Sequence, residues 1–460
     1  MALRFPGVTG DPSPMSQDTL FPDSDPAPKP ASPSPTGGRP RFRAPARHQG
    51  EWVSMDLDGL VGADHRVREV WTYVESLDLT PFYARIQAVE GGAGRPPIDP
   101  AILMALWLYA TAEGVGSARA LAKLCTSHDA YRWICGGVSI NHHALSDFRT
   151  GHGDRLDALL TQSVAALMDE GIVDLERVSQ DGVKVRASAG ASSFRGEEKL
   201  ETCLREAKEQ VETLKRELLE DPSATTIRQA AAKTRSARER EERVQRAIRA
   251  REELEKLRVT EEEKKKARAS TTDADARVMK MSDGGYRPAF NTQLATDTKS
   301  QIVVGVEVDN RGNDFGQLSR MLEQIQARYG QRAREALVDG GYVSMPEIDA
   351  VTATGTVMYA PTRVQKTTKN SEVANPHLPR ANDSKAVGEW RVRMGTPEAK
   401  EIYKQRASTS ECVNALARNR GLHQCVVRGI AKVRSVMLWF ALTHNLLRAA
   451  SFRRAVSAVA

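Results

Sequence analysis

Apolar residues first recur at helical spacing, near Trp52. Val67, Val70, Trp71 and Val74 fall on one face, as do Ile102, Leu103, Leu106 and Tyr109. Between these sets, Pro96-Pro97-Ile98-Asp99-Pro100 predicts a helix start, with Asp99 as the cap and Pro100 in the first turn. Short helices are expected over residues 117–124, 129–134, 140–149 and 156–168. The period then drops to two. Val183, Val185 and Ala187 alternate with Lys184, Arg186 and Ser188, the pattern of a half-buried strand. An unbroken strand sets Asp181 on the apolar side. A bulge at Gly182 would re-aim it, and Asp181-Gly182 also reads as a plain turn pair.

Period-two segments resume at residues 289–296 and 301–308, joined by the turn 297–300, and predict a hairpin. Further strands are expected at 336–341 and 355–359. Asn313-Asp314 predicts the cap of a helix carrying Leu318, Met321, Leu322 and Ile325. Ser344-Met345-Pro346-Glu347 has the form of a capping box. Thr396-Pro397-Glu398 opens a helix that carries Tyr403, Arg406, Glu411, Asn414 and Arg418. The weak helix formers Ser408-Thr409-Ser410 predict a restart there, with Ser410 as the new cap. Residues 433–440 and 442–447 are apolar, helical and expected to close the core.

Between the first strand and the hairpin the character changes. Leu204, Ala207, Val211, Leu214 and Leu218 make a narrow seam, Asp221-Pro222-Ser223 breaks it, and Val244, Ala247, Ile248, Leu254 and Leu257 make a second. The expectation is an inserted antiparallel, coiled-coil-like helical hairpin. Most of its charges form a solvated face. Arg235, Arg238, Lys264, Lys265 and Lys266 are open to phosphate contact, and self-association is the rival role.

These elements predict an α/β protein. Residues 1–45, rich in Pro, Ser, Gly and Asp, read as a disordered tail or an upstream extension. Residues 46–170 read as a helical N-terminal domain, either a helix-turn-helix DNA reader or an ordinary helical bundle. His142 and His143 have no third ligand spaced near them, so they read as structural or DNA-facing. Residues 171–192 and 280–450 form the α/β body, 193–279 the insertion and 451–460 a second tail. The net charge of +7 fits a polyanion partner, although 59 acidic residues nearly match 66 basic ones. Five cysteines without a C-x-x-C pair exclude a zinc knuckle and point to a reducing compartment. No long apolar run or signal segment is evident, so a cytoplasmic protein is expected.

Asp181 on its strand, Asp339 at a strand end and Glu411 on a helix are the acids with candidate chemistry. Taken singly, each also has an ordinary reading as a turn residue or an ion-pair partner. Together the motifs Gln180-Asp181-Gly182, Leu337-Val338-Asp339-Gly340-Gly341-Tyr342 and Tyr403-x-x-Arg406, followed by Glu411 and Arg418, resemble DDE-type transposases of bacterial insertion sequences. The stretches 94–100, Asp147-Phe148-Arg149, 421–429 and 443–446 look like the same family, in a branch with a charged helical insertion. The resemblance implies an RNase H-like mixed sheet flanked by helices. It implies that Asp181, Asp339 and Glu411 bind two Mg²⁺ ions, with Mn²⁺ as a substitute. Such ions, about 3.5–4 Å apart, activate the attacking oxygen and stabilise the leaving one. Tyr403, Arg406, Arg418, Lys184, Arg186 and Arg428 become the expected DNA-binding or supporting residues. Four residues separate Arg406 from Glu411 where the family commonly has three, and Arg418 stands in place of a lysine. The implied activity is cutting at terminal inverted repeats and joining of the freed 3′-hydroxyls to target DNA. A homodimer on double-stranded DNA, close to the bacterial nucleoid, is the implied assembly. The rivals are a DNA-binding regulator without catalysis and a nuclease that never joins strands.

Overall fold

The period-two segments fold into a six-stranded mixed sheet in a computed structural model that describes residues 56–88, 96–220, 226–362 and 375–459. Trp52, the N-terminal tail, the break at residues 221–223 and part of the polar stretch after Pro361 lie outside the described residues. The strands are β1 (Arg177–Arg186), β2 (Arg277–Lys280), β3 (Tyr286–Asp297), β4 (Val303–Asp309), β5 (Glu335–Leu337) and β6 (Val357–Tyr359). They run in the order β2-β3-β1-β5-β6, with β4 also paired to β3. β3 is antiparallel to β1 and β4, whereas β5 and β6 are parallel to β1 in succession.

Pairing of β1 with β3 is unbroken through the aspartate, with Asp181 opposite Leu294 and Gly182 opposite Gln293. So there is neither a bulge nor a turn at Asp181-Gly182. The glycine serves a different need. A Cβ on Gly182 would lie 2.5 Å from Gln293 Nε2 and 2.7 Å from Asp314 Oδ1. The missing side chain makes room for polar groups packed on that face of the strand.

Two helix starts differ from expectation. The helix Gln317–Tyr329 begins after Gly316, at φ +70°, with no side-chain cap of its own. Asp314 does not cap it. The Glu347 carboxylate reaches over instead and accepts from Ser319 N at 2.7 Å. Half of the expected capping box forms, since Ser344 Oγ accepts from Glu347 N at 3.3 Å. At the other start, Thr396 caps Pro397–Arg406 as expected. No restart occurs at Ser410. The chain passes through a π-helical turn, Ala407–Glu411, into Cys412–Asn419. Ser410 Oγ is occupied by Ser179 Oγ at 2.8 Å, which ties this turn to β1.

The insertion is the helix pair Glu197–Glu220 and Ile227–Lys256. Arg251 pairs with Glu197 and Arg240 with Glu206, so the two run antiparallel. A short ribbon, Phe194–Arg195 against Ala269–Ser270, closes its base. Ala207, Val211, Val244 and Ala247 are buried along the seam, while Leu257 is exposed.

The helical region before β1 packs around Pro100–Ala112, whose residues Met104 to Leu108 are fully buried. The helix Ile430–Val459 joins this region to the sheet and continues through the stretch expected to be a tail. Thr443 Oγ1 donates to Leu108 O at 3.4 Å. His444 Nε2 binds Gln301 O at 2.8 Å. Asn445 both donates to and accepts from the Val303 backbone at 2.8 Å. Met55–Ala460 accordingly form one unit. Among the described residues, no helix is long and apolar enough to cross a membrane.

Candidate active site

The parallel pairing of β1 with β5 sets Ser179 opposite Leu337. Asp181 and Asp339 each come two residues later in the same direction, past the end of β5. Adjacent strands lie about 4.8 Å apart, so two carboxylates reach one end of the sheet from neighbouring strands. Asp339 stands just past the C-terminal end of β5, where open α/β sheets place their ligands, and Asp181 stands beside it midway along β1, which runs on beyond β5.

Glu411 arrives from the third direction. Its helix lies on the face of β1 that carries Ser179 and Asp181. One guanidinium spans the two elements: Arg406 Nη2 is 3.2 Å from Asp181 Oδ2, and its Nη1 is 2.7 Å from Glu411 Oε1. The π turn explains how this works with one residue more than the family spacing. In a π turn the hydrogen bond runs from i to i+5, so the fifth residue takes the place that the fourth has in an α-helix. Arg406 and Glu411 thus stay on one face. The extra residue is absorbed by the backbone, and the contact between the two side chains is kept.

Asn414, one turn beyond Glu411, was placed on this helix face by the sequence but given no role. Its Nδ2 donates to Asp181 Oδ2 at 3.0 Å, and its Oδ1 is buried without a partner. Gly182 N donates to Asp181 Oδ1 at 3.0 Å, so both carboxylate oxygens are held. Asp339 Oδ1 accepts from Gly341 N at 2.7 Å. Burial pushes the Asp181 carboxyl up to about 6; Arg406 opposes this and Asp339 adds to it. Burial works against the Arg406 charge, yet Asp181, Tyr403, Asp339 and Glu411 together hold its pKa above the ordinary value. Burial likewise raises the Tyr403 hydroxyl, opposed by Arg406 and reinforced by Asp339 and Asp181.

The other face of β1 is lined with amides. Gln293 Nε2 and Asn291 Nδ2 donate to Asp314 Oδ1 at 2.7 and 2.8 Å. Gln293 Oε1 accepts from Gln180 Nε2 at 2.9 Å and from the Tyr342 hydroxyl. This buried network backs the strand at the level of Asp181. Asp314 was read as a helix cap, and no spacing signal marked it as a member. Tyr342 was visible in the Asp-Gly-Gly-Tyr motif.

Not every expected site residue reaches the acids. Lys184 and Arg186 alternate to the opposite face of β1 from Asp181. Arg418 is exposed and makes no ion pair among the described residues. Arg428 is exposed, with its Nε donating to Ser188 O at 3.3 Å beyond the end of β1. Among the described residues, no three His, Cys, Asp or Glu side chains stand together as a preformed metal cage. The donors nevertheless suit a hard cation. They are oxygens only, Asp181 is short of positive charge, and the Asn414 carbonyl oxygen beside it lacks a donor.

Fold and site thus describe a mixed α/β protein with a carboxylate centre at the end of its sheet. Residues 55–151 match the family Transposase domain (DUF772), and residues 364–450 match the family Transposase DDE domain. The two matches flank the strands in sequence, and they support the resemblance to insertion-sequence DDE transposases. The second match contains Tyr403, Arg406, Glu411 and Arg418; Asp181 and Asp339 lie outside both. No curated protein and no solved structure matches the chain.

Proposed function

We propose that this DNA transposase cuts element ends at terminal inverted repeats and joins the 3′-hydroxyls to target DNA, with Asp181, Asp339 and Glu411 as its catalytic acids. The observation that carries the reading is the convergence on Arg406 and the paired strand ends. Asp181 and Glu411, from distant parts of the chain, share one guanidinium, and Asp339 follows the strand paired beside that of Asp181. The strand order supports an RNase H-like sheet as well, with β1, β3 and β4 antiparallel, β5 and β6 parallel to β1, and the short β2 added at the edge of β3.

Asp181, Asp339 and Glu411 would hold divalent cations, Mg²⁺ or Mn²⁺. When bound, these supply charge stabilisation at the phosphate and a more acidic attacking oxygen. The chain's own residues do the rest. Asn414 and the Gly182 amide fix the orientation of Asp181. Arg406 bridges Asp181 and Glu411 and holds them within reach of one another. The amide network behind Gly182 keeps β1 from shifting under the load of like charges. Tyr403, half-buried beside Arg406, would offer its hydroxyl to a phosphate. Cutting two element ends calls for two active sites, so a homodimer acting on double-stranded DNA in the bacterial cytoplasm is part of the proposal.

The test is Mg²⁺-dependent nicking of a duplex that carries the repeats flanking the gene. Cleavage followed by strand transfer is expected. Cut ends that never join would leave a nuclease, and salt-sensitive binding without metal-dependent cutting would leave a regulator.

A further inference from the structure

Two sequence phrases have no part in the chemistry above: Asp147-Phe148-Arg149 and residues 421–429. The fold brings them together. With the turn at Gly114 to Ser117 they line a cavity of about 530 Å³ between the helical region and the end of β1. A Cβ on Gly421 would lie 3.3 Å from Gly114 O, and one on Gly114 3.6 Å from Arg420 Cα. Both glycines have positive φ, so the two turns meet backbone to backbone.

The lining contains no Asp or Glu, yet two guanidiniums reach it. Arg149 is 7% exposed and lies 4.6 Å over the Trp107 ring. It donates Nη1 to Gly116 O, while its buried Nε meets no acceptor. Arg420 sits 5.9 Å over the Phe440 ring, with a buried Nη1 that also meets none. Neither forms an ion pair among the described residues. Burial lowers both, Arg149 to about 10. The neighbouring Cys425 thiol is pushed up to about 12 by burial, against the pull of Arg149, and so stays neutral. Glu113 acts on Arg420 from outside the lining, but neither guanidinium has a paired carboxylate, and a buried charge left unpaired is costly. A bound anion would remove that cost. Guanidinium stacked on an aromatic ring is suited to phosphate.

We infer that this cavity is a phosphate pocket that holds one backbone phosphate of the DNA, so that the helical region and the catalytic sheet grip the same strand. The inference rests on the DNA reading above, but it concerns a place the acids do not occupy.

The experiment measures duplex binding by fluorescence anisotropy over a salt series, without divalent ions, for the wild-type chain, Arg420→Gln and Arg149→Lys. Arg420→Gln is expected to weaken binding about tenfold on any sequence and to lower the salt slope by about one unit. Arg149→Lys keeps the charge, loses the planar fork and falls between. Circular dichroism and thermal midpoints confirm that each variant is folded. Wild-type affinity and slope in both folded arginine variants would overturn the inference. A second arm adds millimolar inorganic phosphate at constant ionic strength. If phosphate raises the midpoint of wild type but not of Arg420→Gln, while Arg420→Gln keeps wild-type DNA binding, the pocket takes a free anion and the DNA assignment is wrong. If the wild-type chain binds no duplex at all, the transposase reading fails first. If it binds but never cuts, that reading loses its chemistry and the pocket stands.

Discussion

The acidic centre and the Arg149–Arg420 cavity are opposites built by the same rule. Around Asp181, a strand carboxylate and a helix carboxylate share a single guanidinium, with Asp339 just past the end of the neighbouring strand. Around Arg149, two guanidiniums meet only carbonyls, rings and a neutral thiol. Elsewhere the molecule pairs its charges freely, as along the inserted hairpin, where Arg240 and Arg251 each find glutamates. Charge left uncompensated in a part-buried place is a cost that folding alone does not repay. The proposed occupants follow the sign of each deficit: a cation at one place, an anion at the other.

The comparison breaks most sharply at the acids. Asp181→Asn, Asp339→Asn and Glu411→Gln should each lower nicking by about a thousandfold or more, since each removes transition-state stabilisation rather than binding. Duplex affinity without metal should barely change, which separates this centre from the arginine cavity. Wild-type turnover in any of the three would remove that residue from the site.

Stability gives the next largest effect. Asp181 has a folded pKa of about 6, above its ordinary value near 3.8. Its raised pKa favours the fold fully below the lower value, and that contribution is lost as pH rises through the higher one. The wild-type chain should therefore lose on the order of 1–3 kcal/mol between pH 4 and 7 through this group. Asp181→Asn should raise the melting temperature at pH 7.5, with the gain vanishing near pH 4. Mg²⁺ should stabilise wild type at pH 7.5 and leave Asp181→Asn unmoved. Melting curves across pH, with and without Mg²⁺, check all three.

Asn414→Ala should reduce the rate about ten- to a hundredfold by freeing the Asp181 carboxylate, comparable to losses at other residues that orient metal ligands. The shift should show as a higher Mg²⁺ requirement, with the fold intact. A rate and Mg²⁺ requirement equal to wild type would make Asn414 mere packing. Smaller still is the effect of deleting exposed Ala407, which turns the π turn into an α-helix. Arg406 and Glu411 should keep their contact, and nicking should stay within about tenfold of wild type. Inserting a further residue there should abolish it. Smallest is the loss on trimming the hairpin beyond its closed base and replacing residues 204–243 by a short turn. Unaltered nicking is expected there, because Arg251, Glu197 and the ribbon remain.

Much of this was legible in the chain. The strand of Asp181, the hairpin behind it, the double glycine after Asp339 and the cap at Thr396 follow from local period and turn chemistry. What stayed hidden depended on partners far away. Asp314 has the composition of a cap, but Glu347 supplies that cap from another helix, and this releases Asp314 to the amides of β3. Ser408-Thr409-Ser410 looks like a break because propensity does not register a π turn held to β1 through Ser179. The arginine cavity was invisible for the same reason. Its two halves are nearly three hundred positions apart, and neither half contains a local sign of the other.

That separation sets a clock on synthesis. Asp181 and the Asn414 that orients it are 233 positions apart. At about 5–20 residues per second, the ribosome needs roughly ten to fifty seconds to supply the second after the first. A nascent chain thus holds Asp181, exposed strand edge and all, long before the rest of the proposed site exists. That site is complete only when the Glu411 helix has emerged, and the helix bearing Thr443, His444 and Asn445 follows to lock it in place.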